Sequence, residues 1–140
     1  MSTISSDIWY RNDVSITSAD FIDLLKRSTL AARRPVDNVE KIQLMLDHGN
    51  VLVTAWKGDL LIGVSRALTD FSFCCYLSDL AVDESFQKQG VGKQLIDETH
   101  KAAGLQTMLI LLAAPAAVNY YPKIGMEKFP DCFVIRKKID

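Results

Sequence analysis

Two glycines one residue apart, Gly90 and Gly92, stand just after an apolar run that ends at Leu80, Ala81 and Val82 and open a stretch of helical pattern. A helix N-terminus presents unpaired backbone N–H groups and the positive end of the helix dipole, so it holds an anion such as a phosphate. Glycine there removes the side chains that would keep a bulky anion away. Lys88 and Lys93 flank the pair and add positive charge. The spacing fits neither of two familiar loops. No Ser or Thr follows Lys93 and no upstream glycine completes a Walker loop, and no third glycine completes the dinucleotide fingerprint. The plainer alternative is a glycine turn into an ordinary helix.

Other residues could handle a proton or a charge. Tyr121, beside Tyr120, is either a core aromatic or a phenol that donates at neutral pH, since its ordinary pKa is near 10. Asp79, with Ser78 and Tyr76 on the same predicted strand, either holds an ammonium, takes its proton through water, or is a charge at a strand edge. Arg33 and Arg34 are either a carboxylate-binding lid over the acceptor site or part of a solvated loop. Asn119 is polar and close to Tyr121, facing a channel or solvent. His48 reads as a helix-end residue and His100 as a solvated one. Cys74 and Cys75 are adjacent, and no CxxC or Cys/His spacing marks a metal or nucleophile site.

The elements that position these residues follow from periodicity. An edge strand is predicted through Ile8 and Tyr10. Thr17 or Ser18 then caps a helix with Phe21, Leu24 and Leu25 on one face. Asp37 and Glu40 have capping-box spacing before a second helix through Val39, Ile42, Met45 and Leu46, stopped near Gly49. Three strands follow as a meander over residues 51–56, 60–68 and 73–82, with turns at 57–59 and near Asp70. Residues 90–103 read as a helix stopped by Gly104. The unbroken apolar run 108–113 reads as a fully buried central strand. A brief helix through Tyr120 and Tyr121 ends at Gly125, and residues 133–139 are predicted as a last strand.

The run Gln87, Lys88, Gln89, Gly90, Val91, Gly92 resembles the Q/R-x-x-G-x-G/A signature of the GNAT superfamily of N-acetyltransferases. The segment from Tyr120 to Met126 is similar to that family's aromatic-Tyr-x-Lys-x-Gly-Phe element, at the expected separation. The resemblance implies an α+β GNAT fold, a mostly antiparallel mixed sheet whose fourth and fifth strands splay apart, over a single domain at residues 1–140. It implies acetyl-CoA as co-substrate, with its pantetheine arm paired to the backbone of Leu80, Ala81 and Val82. Gln87, Lys88, Gln89, Gly90, Val91, Gly92 and Lys93 would wrap the pyrophosphate, and Asn119 would bond the pantetheine. Tyr121 would protonate the departing thiolate, with Asp79 as anchor or base and Arg33, Tyr76 and Ser78 on the acceptor side. The chain departs from one family pattern, having Tyr76 where several branches keep a glutamate base. Pro122 departs too, at a position often held by a helix former. Direct transfer to a small primary amine is the expected activity. A noncatalytic acetyl-CoA sensor or scaffold is the other reading, and a homodimer is compatible with both.

Composition narrows the field further. The chain has 140 residues, 49% hydrophobic and 24% charged, with a net charge of -1. That fits one ordinary globular domain and gives no basic excess for coating nucleic acid. The longest apolar run is interrupted by Pro115 and is too short to span a bilayer. With an odd number of cysteines, three, a reducing cytoplasmic setting is expected, with no metal.

Overall fold

The computed structural model describes residues 7–137. Its elements run β1 (Ile8–Arg11), α1 (Ser18–Ser28), α2 (Val39–His48), β2 (Val51–Lys57), β3 (Leu60–Thr69), β4 (Cys74–Val82), α3 (Val91–Ala103), β5 (Met108–Leu111) and α4 (Tyr120–Lys123), with short 3-10 turns between some of them. The strands form one sheet in sequence order, antiparallel except for the parallel pair β4–β5. The expected α+β arrangement is therefore present.

Local chemistry sets the helix ends. Thr17 is extended, and its side chain accepts from the Asp20 N–H, so α1 begins at Ser18. The second cap is Asn38 rather than Asp37, because the Asn38 side chain accepts from the Lys41 N–H at 3.0 Å. At the other end of α2 the Gly49 N–H donates to Met45 O. Phe21, Leu24 and Leu25 of α1 and Ile42 of α2 are fully buried against Leu61, Val64 and Ala81 on one face of the sheet. Each large apolar side chain so buried contributes about 1.5–3 kcal/mol. The other face carries α3, whose Val91, Leu95 and Ala103 pack with Val53, Ile62 and Cys75.

The β3–β4 hairpin turns at Asp70, whose carboxylate accepts from the N–H groups of Ser72, Phe73 and Cys74. Those three donors hold its pKa down at about 2. Further along, the register slips: Arg66 faces Asp79 but Ala67 faces Leu77, so Ser78 is an extra residue on β4. A bulge of this kind resets which side chains face which layer. Cys75, before it, packs on the α3 side, whereas Ala81, after it, packs under α1 and α2.

Two expectations about the C-terminal part need correction. The strand near residue 108 is not central, since β5 is the sheet edge and Met108 is 58% exposed. Its apolar residues border a cleft. Residues 133–137 form no strand, and Phe133 and Ile135 are exposed, while residues 138 and 139 of that predicted strand lie outside the described residues. Among the described residues no helix is long and apolar enough to cross a membrane.

Candidate active site

β4 and β5 pair only from Cys74↔Met108 to Leu77↔Leu111. Beyond that point β4 runs on through Ser78, Asp79, Leu80, Ala81 and Val82 while β5 has ended, so among the described residues this stretch has no strand partner on the β5 side. An unpaired strand edge beside a gap accepts an extended group through main-chain hydrogen bonds. The bulge at Ser78 and the parting of the strands fall at the same residue.

The loop after β4 is fastened at both ends. Asp83 accepts from the Ser85 N–H at 2.8 Å and from the Arg27 guanidinium, which also donates to Leu61 O at 2.8 Å. Burial pushes the Asp83 carboxyl up, but the Ser85 N–H and Arg27 outweigh it and leave the group below the ordinary carboxylate range. The Gln87 side chain turns back and donates to Val82 O at 2.9 Å, so it braces the loop. Lys88 and Gly90 both take positive φ, 64° and 86°. The first helical bond of α3 is Gln94 N–H to Gly90 O, so the earlier N–H groups of the turn point outward from the helix end. Lys88, Gln89 and Gly90 are exposed, and Val91 is buried beneath them. Lys93 pairs with Asp97 at 3.0 Å.

The two glycines do different things. At Gly90 a Cβ would meet nothing within 4 Å, so glycine is required there by backbone conformation. At Gly92 a Cβ would lie 2.9 Å from the Tyr120 hydroxyl, so a larger residue there would push the tip of Tyr120 aside. Tyr120 thus covers the first turn of α3. Burial pushes its phenol up, and the Lys93 N–H beside it pulls part of the way back. Sequence reasoning passed over Tyr120 in favour of its neighbour, and a second phenol next to the first was the signal available.

Tyr121 and Asn119 line a cleft of about 840 Å³ between α3, β5 and α4, together with Lys93, Ile110 and Leu112. Tyr121 is half-buried, with its ring 5.2 Å from that of Tyr120 in an edge-on contact. Burial first, and the neighbouring Tyr120 second, push its pKa above 10.0. It is therefore a protonated donor at neutral pH. Leu80, Ala81 and Val82 do not line this cleft. α4 is only four residues long, with Pro122 inside it.

The acceptor side differs most from expectation. Asp79 is fully buried, and each carboxylate oxygen is taken by a guanidinium: Oδ1 by Arg34 Nε and Oδ2 by Arg66 Nε. It is neither a strand-edge charge nor a carboxylate open to an incoming amine, which corrects its expected role as base or ammonium anchor. Ser78 accepts from Arg66 through its hydroxyl and from Arg34 through its carbonyl. Arg33 is exposed, and its carbonyl accepts from Arg34 at 2.8 Å. Tyr76 is also exposed, in register between Leu68 and Ile110. The residue missed is Arg66, whereas Arg34, expected with Arg33 as a carboxylate-binding lid, binds the chain's own Asp79 carboxylate instead. An arginine inside the apolar run of β3 needs a buried acid on a neighbouring strand, and that signal was present at Arg66. His100 is not simply solvated, because a ring nitrogen donates to Thr107 O at 2.7 Å. His48 sits exposed at the end of α2. Among the described residues no group of His, Cys, Asp or Glu is arranged to hold a metal ion.

A sheet whose fourth and fifth strands part beside a glycine-opened helix is the arrangement that the resemblance to the GNAT superfamily implies. The chain belongs to the GNAT acetyltransferases, a class of acyltransferase enzymes, as the family's acetyltransferase (GNAT) domain matches residues 30–134. It is 31% identical over 105 residues to an uncharacterized N-acetyltransferase, ycf52, of Gracilaria tenuistipitata, covering 71% of this chain and 56% of that protein. The chain thus spans little more than half the length of that relative. A probable acetyltransferase of meticillin-resistant Staphylococcus aureus shares its fold at a TM-score of 0.75 and 23% identity, over 94% of this chain and 99% of that one. So does an aminoglycoside acetyltransferase from a soil metagenome, in complex with sisomicin, at a TM-score of 0.70 and 17% identity, over 98% and 99%. At those identities the likeness to the two structures is one of fold.

Proposed function

We propose that this chain transfers the acetyl group of acetyl-CoA directly to a primary amine of a small molecule. The observation that carries the reading is the unpaired β4 edge after Leu77, set between the Gly90 turn and the cleft that holds Tyr121. The residues fit the co-substrate: an open strand edge suits an extended amide arm, and the outward N–H groups around Gly90 and Gly92 suit a pyrophosphate. Acetyl-CoA, when bound, supplies an activated thioester. Leu80, Ala81 and Val82 align that arm through their backbone, and Asn119 bonds it from α4. Residues 87–93 hold the phosphates, with Lys88 adding charge. The Tyr121 hydroxyl gives its proton to the leaving sulfur as the amine nitrogen bonds to the acetyl carbon and the carbon–sulfur bond breaks.

Proton removal from the amine does not fall to Asp79, the sole carboxylate of β4, because it is fully engaged; the proton leaves through water. Arg33, Tyr76 and Ser78 border the acceptor side. The small acceptor is favoured by the likeness in fold to the metagenomic aminoglycoside acetyltransferase, whose structure holds sisomicin. A reducing cytoplasmic setting suits three free cysteines. The engaged Asp79 is the one observation favouring a noncatalytic acetyl-CoA sensor instead. Thiol release from acetyl-CoA over a panel of amines, amino sugars, polyamines and amino acids tests the proposal. Turnover with any amine supports it. Tight calorimetric binding with no turnover across the panel supports the sensor.

A further inference from the structure

One carboxylate gathers four separate pieces of the chain. Asp79 of β4 binds Arg66 of β3 and Arg34 of the loop between α1 and α2. Arg34 donates onward to Ser78 O and Arg33 O, both at 2.8 Å. Arg66 donates to Met45 O of α2 at 3.1 Å and to Ser78 Oγ at 3.2 Å. Its aliphatic stem lies where a Cβ on Gly49 would stand, 2.8 Å from Arg66 Cγ. The named donors of both guanidinium groups therefore end on protein acceptors, and no buried side-chain polar atom among the described residues lacks a partner.

Such a cluster is a poor device for stability alone. Desolvating one carboxylate and two guanidiniums is expensive, and apolar side chains of similar volume often stabilise as well or better. What the cluster supplies is directional. It supplies two donors to Ser78, one to the carbonyl and one to the hydroxyl, at the residue where β4 both bulges and parts from β5. An extra strand residue is left outside the ladder, so its carbonyl needs another donor, and Arg34 provides it.

We infer that Arg34, Asp79 and Arg66 form a positioning latch: they fix the bulge at Ser78, and so aim the free edge at Leu80, Ala81 and Val82, while pinning the acceptor-side loop to it. The inference rests on that edge being the acetyl-CoA site only for its consequence in binding. The geometric part stands on the free protein.

The test uses two variants of the full chain. Arg34→Lys keeps the charge and reaches Asp79, but one ammonium cannot also serve Ser78 O and Arg33 O in the planar fork of a guanidinium. Amide exchange of the free variant is expected to rise about tenfold or more at residues 30–36 and 79–82, with α3 and β2 unchanged. The calorimetric affinity for coenzyme A is expected to fall about tenfold while the thermal midpoint stays within a few degrees. The triple variant Arg34→Met, Asp79→Leu, Arg66→Met replaces the charges with apolar volume. It is expected to keep or exceed the parent's thermal midpoint and still bind coenzyme A at least tenfold more weakly. Wild-type exchange at 79–82 in Arg34→Lys overturns the latch, as does wild-type affinity in the triple variant. If the triple variant does not fold, the Arg34→Lys exchange pattern decides alone. If the wild-type chain itself fails to bind coenzyme A, the functional reading fails, and the exchange pattern still judges the latch.

Discussion

The far end of β4 has two flanks built from different materials. Towards α3 the flank is backbone: two glycines, a positive φ at Lys88 and a helix end whose N–H groups face outward. Towards α1 and α2 it is side chain: a carboxylate and two guanidiniums brought together from residues 34, 66 and 79. The first flank is local in its backbone, since the turn and the helix end lie within residues 82–93, with Arg27 and Tyr120 bracing them from outside. The second exists only after folding, since Arg34 and Asp79 meet across forty-five positions. A local device leaves a motif, and a long-range one leaves only residues that look out of place.

The contrast can be broken first at the chemistry the local flank serves. Tyr121→Phe keeps the ring and removes the proton, so the transfer rate is expected to fall about ten- to ten-thousandfold. Coenzyme A affinity should change little, and single-turnover kinetics beside calorimetry checks both. An unchanged rate would take Tyr121 out of the reaction. Because the Tyr121 pKa is raised, the phenol stays a donor at every pH below about 10, so the acid role sets no limit near neutrality. The pH profile of kcat/KM should instead follow the acceptor's own amine. It should rise tenfold per pH unit below that amine's pKa and move with it when a less basic acceptor is used.

The charged flank breaks next. Asp79→Asn leaves two guanidiniums facing a neutral amide, and removing one partner of a buried ionic cluster costs about 3–5 kcal/mol. Denaturant unfolding should show that loss. A change under 1 kcal/mol would mean that the carboxylate is not held as described. On the backbone flank, Gly90→Ala places an L-residue at φ 86° in otherwise open space, a strain of about 1–2 kcal/mol. Gly90→Glu adds bulk and like charge and is expected to abolish coenzyme A binding with the fold retained.

The smallest effect sharpens the comparison from outside the site. Asp70 holds a hairpin turn through three N–H groups, with its pKa lowered to about 2. A group whose folded pKa is depressed contributes stability above its unfolded value and loses it as pH falls through the folded one. The stability difference between the wild type and Asp70→Asn should be full above about pH 4 and vanish towards about pH 2. Thermal melts across that range measure it, and a constant difference would argue against the charge.

The order of strands and helices up to α3 was legible because each element there buries one face, which imposes a period on its own residues. Thr17 announced α1, whereas the choice of Asn38 over Asp37 turned on a single residue between two acceptable caps. The run Met108–Leu111 misled because an unbroken apolar sequence usually means burial on both faces. Here Leu109 packs against the core while the whole run also borders the cleft, so two apolar surroundings give the same pattern at a sheet edge. Residues 133–137 have strand composition but no neighbouring strand to pair with in the described structure. In the candidate site the glycine loop and Tyr121 could be singled out from local motif alone, and their roles are those proposed above. Asp79 was singled out with the wrong partner, because a lone sequence shows a charge without showing what answers it.

The contact between Gly49 and the stem of Arg66 bears on how this chain can vary through descent. A helix-ending glycine is already common for backbone reasons, yet here its missing side chain is also room for an arginine on another element. Enlarging residue 49 displaces Arg66, displacing Arg66 strands Asp79, and Asp79 in turn holds Arg34. Positions 34, 49, 66 and 79 are therefore expected to change together or not at all among related sequences. A lineage that replaces the aspartate with an apolar residue should also have lost both arginines, and is then free to close its second helix with something larger than glycine.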